Sequence, residues 1–201
     1  MSGKKPMNLE DAEKVFLEVF EILDKFQIKL FLSDGTMLGA IRDKGIIPWD
    51  YDIDTRIAIS DWDFSVFEEF ERNGFQCNKG MLPKLYQDLP VAVDIIKRGI
   101  DFGIGFNYYY PPEDVVVFLA GKPSSPGTVQ PARFYRGEHF TNFLNIKVRI
   151  PYPSIEYVER IYGPGWRIPS KSRHSRTPCK SISIKKYVEY FHKHPEVNKR
   201  K

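Results

Sequence analysis

The chain has 201 residues, of which 42% are hydrophobic and 28% charged, a composition typical of one globular domain that excludes wholesale disorder. No apolar run approaches the roughly 20 residues that a membrane-spanning helix needs, and the N-terminus lacks the apolar stretch of a secretory signal. The two cysteines, Cys77 and Cys179, have neither zinc-ligand spacing nor the number that a disulfide framework requires. We therefore predict a protein without a transmembrane segment, in a reducing, cytoplasmic setting.

The net charge of +4 is unevenly distributed along the chain. Residues 167–201 contain eleven Lys/Arg and two Asp/Glu, so the remainder of the chain is net acidic. Such a basic segment indicates an anionic partner, or else a solvated tail that improves solubility. Because the segment has no regular aromatic interleaving, a nucleic-acid-binding module is the less favoured interpretation.

Hydrophobic spacing and turn residues predict an alternation of helices and strands. Asn8 is expected to cap a first helix of about four turns, because apolar residues then recur at three- and four-residue steps. The later elements are a strand over 28–32, a turn over 33–36, a helix over 37–42, a strand over 52–59, a helix capped by Asp61 or Asp63, strands over 90–97, 115–119 and 143–150, a loop over 122–131, and a helix from Ser154 to Gly163. This order predicts an α/β or α+β fold with a mixed sheet.

The predicted strand 52–59 is preceded and opened by three carboxylates of one parity, Asp50, Asp52 and Asp54. On an extended strand, such residues point to the same face, about 6.6–7 Å apart. Ionised carboxylates this close repel one another unless a cation lies between them, and Mg²⁺ prefers such oxygen ligands. The alternative, a solvated acidic strand edge, is disfavoured because Trp49 and Ile53 are interleaved with the acids.

A glycine turn lies upstream of these acids, between a predicted strand and a predicted helix. Gly35 and Thr36 at this position present backbone N–H groups and a hydroxyl to an anion, because helix N-termini favour phosphate. Glycine is also common in such turns for steric reasons alone, so the signal gains weight only beside the acidic strand. Arg42, at the end of the short helix, is either a bidentate phosphate ligand or an exposed arginine without a role.

These residues closely resemble the conserved segment of the LicD family. The match comprises Ser33-Asp34-Gly35-Thr36, Leu38-Gly39-Ala40, Arg42, Gly45-Ile46-Ile47-Pro48-Trp49-Asp50 and Asp52-Ile53-Asp54. A second similarity covers residues 157–169, where Tyr162 and Trp166 are expected to pack a closing helix onto the core. The resemblance implies a nucleotidyltransferase-like mixed sheet flanked by helices.

The resemblance also implies a site and a reaction. Gly35 and Thr36 would hold the phosphates of the donor, with Ser33 and Arg42 as further candidates, and Asp52 and Asp54 would bind Mg²⁺, with Mn²⁺ as an alternative. The superfamily has a third carboxylate on a later strand, for which Asp94 is our choice and Asp101 the competitor. The implied enzyme is a phosphotransferase that moves a phospho-alcohol, such as phosphocholine or ribitol phosphate, from a CDP-linked donor to a glycan or glycolipid.

Two further expectations complete this interpretation. Asp50 or one of the three metal-binding aspartates, Asp52, Asp54 and Asp94, would take the proton from the acceptor hydroxyl. The catalytic domain is expected to span residues 1–170, and a basic extension residues 171–201. The main rival is a conventional nucleotidyltransferase that transfers a nucleoside monophosphate from a triphosphate.

Overall fold

The computed structural model describes residues 5–81, 89–119, 127–170 and 184–199. The α-helices are α1 (Leu9–Lys25), α2 (Asp34–Arg42), α3 (Val66–Arg72), α4 (Ser154–Tyr162) and α5 (Ile184–Lys193). The strands are β1 (Leu30–Leu32), β2 (Asp52–Ala58), β3 (Gln76–Met81), β4 (Pro90–Lys97), β5 (Ile100–Tyr110), β6 (Val115–Phe118), β7 (Thr128–Pro131), β8 (Phe140–Phe143) and β9 (Ile146–Arg149). In these described ranges, no helix combines the length and apolarity that crossing a membrane requires.

The nine strands form one mixed sheet. Its main path runs β3-β4-β5-β2-β1-β9-β8, and β6 pairs with the distal part of β5 and with β7. β2 is parallel to β5 and β1 to β9, whereas the other neighbouring strands are antiparallel. The predicted mixed sheet flanked by helices is therefore confirmed.

Helix α1 covers one face of this sheet and supplies much of the core. The predicted cap is present, because Asn8 Oδ1 accepts a hydrogen bond from the Asp11 N–H at 3.0 Å. The apolar stripe of the helix is buried, and Phe16 packs against Phe102 and Phe143 with ring centroids 5.9 and 5.1 Å away. Alternate residues of β2, β4 and β5 point to the opposite face.

The start of the motif region differs from its prediction. Strand β1 begins at Leu30, two residues later than expected, because Gln27 takes a left-handed conformation with φ of 56° at the end of α1. The turn predicted over 33–36 is instead the first turn of α2, which begins at Asp34 after an extended Ser33. Gly35 and Thr36 thus lie inside the helix and not before it.

The strand predicted over 143–150 is confirmed only over Ile146–Arg149, which is β9. Leu144 and Asn145 have φ of 50° and 64°, the left-handed pair of a tight hairpin turn, so β8 and β9 form a hairpin. The loop predicted over 122–131 is contradicted at its end, where residues 128–131 form β7 and pair with β6. Residues 122–126 of that prediction lie outside the described residues.

The basic extension contains a docked helix. Tyr187, Val188 and Phe191 of α5 are buried, and Phe191 packs at a tilt against Tyr108 of β5 with ring centroids 5.1 Å apart. Tyr187 meets Tyr110 edge-on at 4.7 Å. Residues 184–199 therefore complete the core beside β5, and the boundary at 170/171 stays a prediction.

Candidate active site

Strand β2 carries the acidic pair on the face that α1 does not cover. Ile53, Thr55 and Ile57 are buried on the α1 side, whereas Asp52 and Asp54 are half-buried on the other. This alternation follows from the two-residue period of a strand. The prediction that Asp52 and Asp54 share one face is confirmed.

Asp50 is not on the strand, because β2 begins only at Asp52. Its main chain is fixed by two bonds, from the Met7 N–H to the Asp50 carbonyl and from the Asp50 N–H to the Ile47 carbonyl, at 2.9 and 3.0 Å. Its carboxylate packs against Gly35, where an added Cβ would lie 2.4 Å from Asp50 Oδ2. Asp50 thus joins the acidic site through the start of α2 and not through strand parity.

The third carboxylate lies two strands away from β2. Gly103 of β5 pairs with Asp54 on one side and with Asp94 of β4 on the other. A Cβ built on Gly103 would lie 3.7 Å from Asp94 Oδ1 and 3.9 Å from Asp54 Oδ1, so the two carboxylates lean over the bare glycine. Asp101 occupies the same face one step further along, opposite Asp52. Asp94 is exposed, on a strand whose other face is apolar and buried.

This geometry separates the two candidates for the third acid. We expect Asp94→Ala to reduce the rate of the phosphotransfer that the resemblance implies by on the order of 10²-fold or more, and Asp101→Ala by much less, because the carboxylates of Asp94 and Asp54 converge over Gly103. The measurement is the initial rate of each purified variant, with thermal melting as a check that both are folded. Equal losses, or a larger loss for Asp101→Ala, would mean that Asp94 is the wrong acid.

The segment that precedes and opens α2 is bonded directly to the acidic strand. The Asp54 N–H donates to Thr36 Oγ1 at 2.8 Å, and the Ser33 N–H donates to the Asp54 carbonyl at 3.1 Å. Both side chains are buried. The observed role of Ser33 and Thr36 is therefore to position Asp54, and their predicted contact with donor phosphate stays a prediction.

Arg42 is not an exposed arginine. Its side chain is only 7% exposed, its Nε and Nη2 atoms donate to Asp43 at 2.7–3.0 Å, and its Nη1 atom donates to the Trp166 carbonyl at 3.4 Å. These contacts tie the end of α2 to the turn after α4, where Trp166 is buried as predicted. The predicted contact of Arg42 with a donor phosphate stays a prediction.

The electrostatics of the site centre on Asp54. Burial, followed by the neighbouring charges of Asp34 and Asp52, raises the pKa of Asp54 to about 8, while Arg56 opposes this shift. Burial likewise raises the pKa of Asp50 above its ordinary value. Burial and neighbouring negative charges raise these pKa values because both disfavour the ionised carboxylate.

The donor set suits a hard divalent cation, since it consists of carboxylate oxygens on one open face. Within the described residues, however, no three His, Cys, Asp or Glu side chains already converge closely enough to hold a metal ion. Mg²⁺ is typically held by one or two carboxylates together with substrate phosphates. Carboxylate oxygens are the ligand type that Mg²⁺ prefers, so these residues are compatible with the predicted magnesium site, which stays a prediction.

Two residues of the site were missed by sequence reasoning. Arg56 shares the face of Asp54, and its Nη2 atom donates to Asp34 Oδ2 at 3.3 Å. Asp34 opens α2 with φ of 43°, a left-handed conformation that is uncommon outside glycine. The available signal for Arg56 was its parity with the acidic pair, whereas nothing in the pattern predicts the conformation of Asp34.

Comparison with protein families identifies one match. Residues 27–152 match the model described as LicD/FKTN/FKRP, nucleotidyltransferase domain. This range includes α2 and the aspartates of the site, Asp34, Asp50, Asp52, Asp54, Asp94 and Asp101.

Individual relatives are more distant. The chain is 26% identical over 164 residues to ribitol-5-phosphate transferase FKTN of Homo sapiens, which covers 81% of this chain and 34% of that protein. It is 39% identical over 54 residues to lipopolysaccharide cholinephosphotransferase LicD of Haemophilus influenzae, which covers 25% of this chain and 20% of that protein. The chain thus spans about a third of the length of the FKTN proteins that it matches.

Proposed function

Because the chain belongs to the LicD family, we propose that it transfers a phospho-alcohol from a CDP-linked donor to a hydroxyl of a glycan or glycolipid. The observation that carries this proposal is the pair of carboxylates, Asp54 and Asp94, that converge over Gly103 beside the start of α2. The names of two relatives describe transfer of ribitol 5-phosphate and of choline phosphate. Both groups are phosphorylated alcohols, which supports this donor class.

In the proposed site, Asp52, Asp54 and Asp94 hold Mg²⁺, or Mn²⁺ in its place. The ion supplies charge neutralisation on the phosphate oxygens of the donor. The remaining work of the chain is positioning. Ser33 and Thr36 hold the main chain of Asp54 in place next to the start of α2.

The reaction that we propose is a single displacement at phosphorus. The oxygen of the acceptor hydroxyl forms a bond to the phosphorus next to the alcohol, and the bond from that phosphorus to the bridging oxygen breaks. CMP leaves with the bridging oxygen, and the hydroxyl proton passes to a carboxylate. Asp50 is our choice of base, because it lies outside the metal set and burial raises its pKa toward the working range.

The test is a donor and acceptor screen read by mass spectrometry. The protein is incubated with Mg²⁺, CDP-choline or CDP-ribitol, and a panel of glycans, glycolipids and polyols, with the Asp54→Asn protein as the control. We expect CMP together with an acceptor heavier by the phospho-alcohol. Pyrophosphate released from a nucleoside triphosphate, together with a nucleotidylated product, would instead identify a conventional nucleotidyltransferase.

A further inference from the structure

Arg56 lies on the same face of β2 as Asp52 and Asp54, further along the strand. It is two residues beyond Asp54 on the same face of β2, a distance of about 6.6–7 Å along the strand. Its side chain is 19% exposed, and its pKa is raised, with the charge of Asp34 as the main favourable contribution against burial. A permanently charged guanidinium thus stands beside the proposed metal carboxylates.

The position of this guanidinium is fixed by two neighbours that are not acids. Its central carbon lies 3.8 Å from the centre of the Phe118 ring, which is a cation–π contact. On the strand side, a Cβ built on Gly105 would lie 2.8 Å from Arg56 Nη1. The guanidinium therefore fills space that the absence of a side chain at Gly105 leaves open, which restricts its orientation before any ligand arrives.

The hydrogen bonding of Arg56 is incomplete. Its contact with Asp34 is long, at 3.3 Å, and its buried Nε atom has no hydrogen-bond partner within the described part of the chain. The buried Oδ1 atom of Asn107, two residues beyond Gly105 on β5, likewise has none there. An unsatisfied buried donor on a charged group is costly, and such groups in native proteins are explained by an ordered water or ion, by strain or by a functional role.

We infer that Arg56 binds the diphosphate of the donor, with its guanidinium donating to a phosphate oxygen while the carboxylates hold the metal on the other side. This assignment rests on the proposed function for the identity of the donor. A diphosphate brings more negative charge than one divalent ion among three carboxylates neutralises. A fixed guanidinium is well suited to neutralise the remaining negative charge, because its planar donors match phosphate oxygens.

The test compares nucleotide and metal affinity in the full chain. CDP is titrated by calorimetry in the presence of Mg²⁺, and Mg²⁺ is titrated alone, for the wild type, Arg56→Met and Arg56→Lys. We expect Arg56→Met to weaken CDP binding by on the order of 10–100-fold. Arg56→Lys should lie between the two, because it keeps the charge but loses the planar fork. Mg²⁺ binding without nucleotide should be unchanged or tighter, since a nearby positive charge has been removed.

Two further variants separate binding from stability. Gly105→Ala keeps the charge but displaces the guanidinium, and it should weaken CDP binding in the same direction. Arg72→Met removes an exposed arginine that pairs with Glu68 on α3, and it should leave CDP affinity unchanged. If Arg56→Met does not fold, Arg56→Lys and Gly105→Ala decide the matter.

The outcomes are distinct. CDP affinity equal to the wild type in Arg56→Lys and Gly105→Ala, or parallel losses of Mg²⁺ binding, CDP binding and thermal stability, would overturn the inference. A wild type that binds no diphosphate would also overturn it. If the arginine variants lose CDP affinity but the wild type forms no CMP from any CDP-alcohol, Arg56 is a diphosphate ligand and the proposed function fails.

Discussion

Replacing Asp54 with asparagine is expected to reduce phospho-alcohol transfer by on the order of 10³-fold while leaving the fold intact. Asparagine keeps the size of the side chain and removes the charge that the proposed cation needs. Asp52→Asn should have a similar effect, because Asp52 lies on the same face of β2. The measurement is CMP release under saturating Mg²⁺, and wild-type-like activity in either variant would end the metal hypothesis.

Asp54→Asn is expected to lower activity but to keep or raise the stability of the folded protein. The pKa of Asp54 is raised from 3.8 to about 8 in the folded protein. Between these values the unfolded chain has lost a proton that the folded chain retains, so this group lowers the free energy of unfolding as pH rises from about 4 to about 8. Asp54→Asn removes that dependence. Denaturant unfolding without metal should therefore show a flatter pH profile for Asp54→Asn, with stability at pH 8 equal to or above that of the wild type.

The second large effect concerns the packing of α2. Gly39→Ala should lower the free energy of unfolding by about 3 kcal/mol, because an added Cβ would lie 2.4 Å from the Gly45 carbonyl oxygen and 3.1 Å from Ile47 Cγ1. The first atom belongs to the backbone and has little freedom to move. Activity should fall as well, because α2 carries Thr36 and its bond to Asp54.

Gly45→Ala is the matched control for this prediction. It lies on the other side of the same contact, yet a Cβ there would meet no atom within 4 Å. Its effect should be small, and a gain of up to about 1 kcal/mol is reasonable because alanine restricts the unfolded chain. Denaturant unfolding measures both variants. Similar stabilities would show that α2 tolerates a shift at Gly39.

The acidic strand was predictable because its signal is local. A period of two places Asp52 and Asp54 together without knowledge of any partner strand, and the apolar alternation around Asp94 likewise identifies β4. Strand β5 escaped prediction although it is the longest, since glycines at 103 and 105 weaken its pattern. Because these glycines have no side chain, Asp54, Asp94 and Arg56 can lie close to the backbone of β5. This arrangement becomes visible only once the strands are paired.

The distance between the backbones of Asp54 and Asp94 is set by main-chain pairing. Two strand spacings separate β2 from β4, or roughly 9.5 Å between backbones. The hydrogen bonds of the sheet therefore fix the spacing between these two backbones. Substitutions of side chains elsewhere leave that spacing unchanged. Lengthening either acid from aspartate to glutamate would displace its carboxylate by one methylene while the spacing of the backbones stays the same.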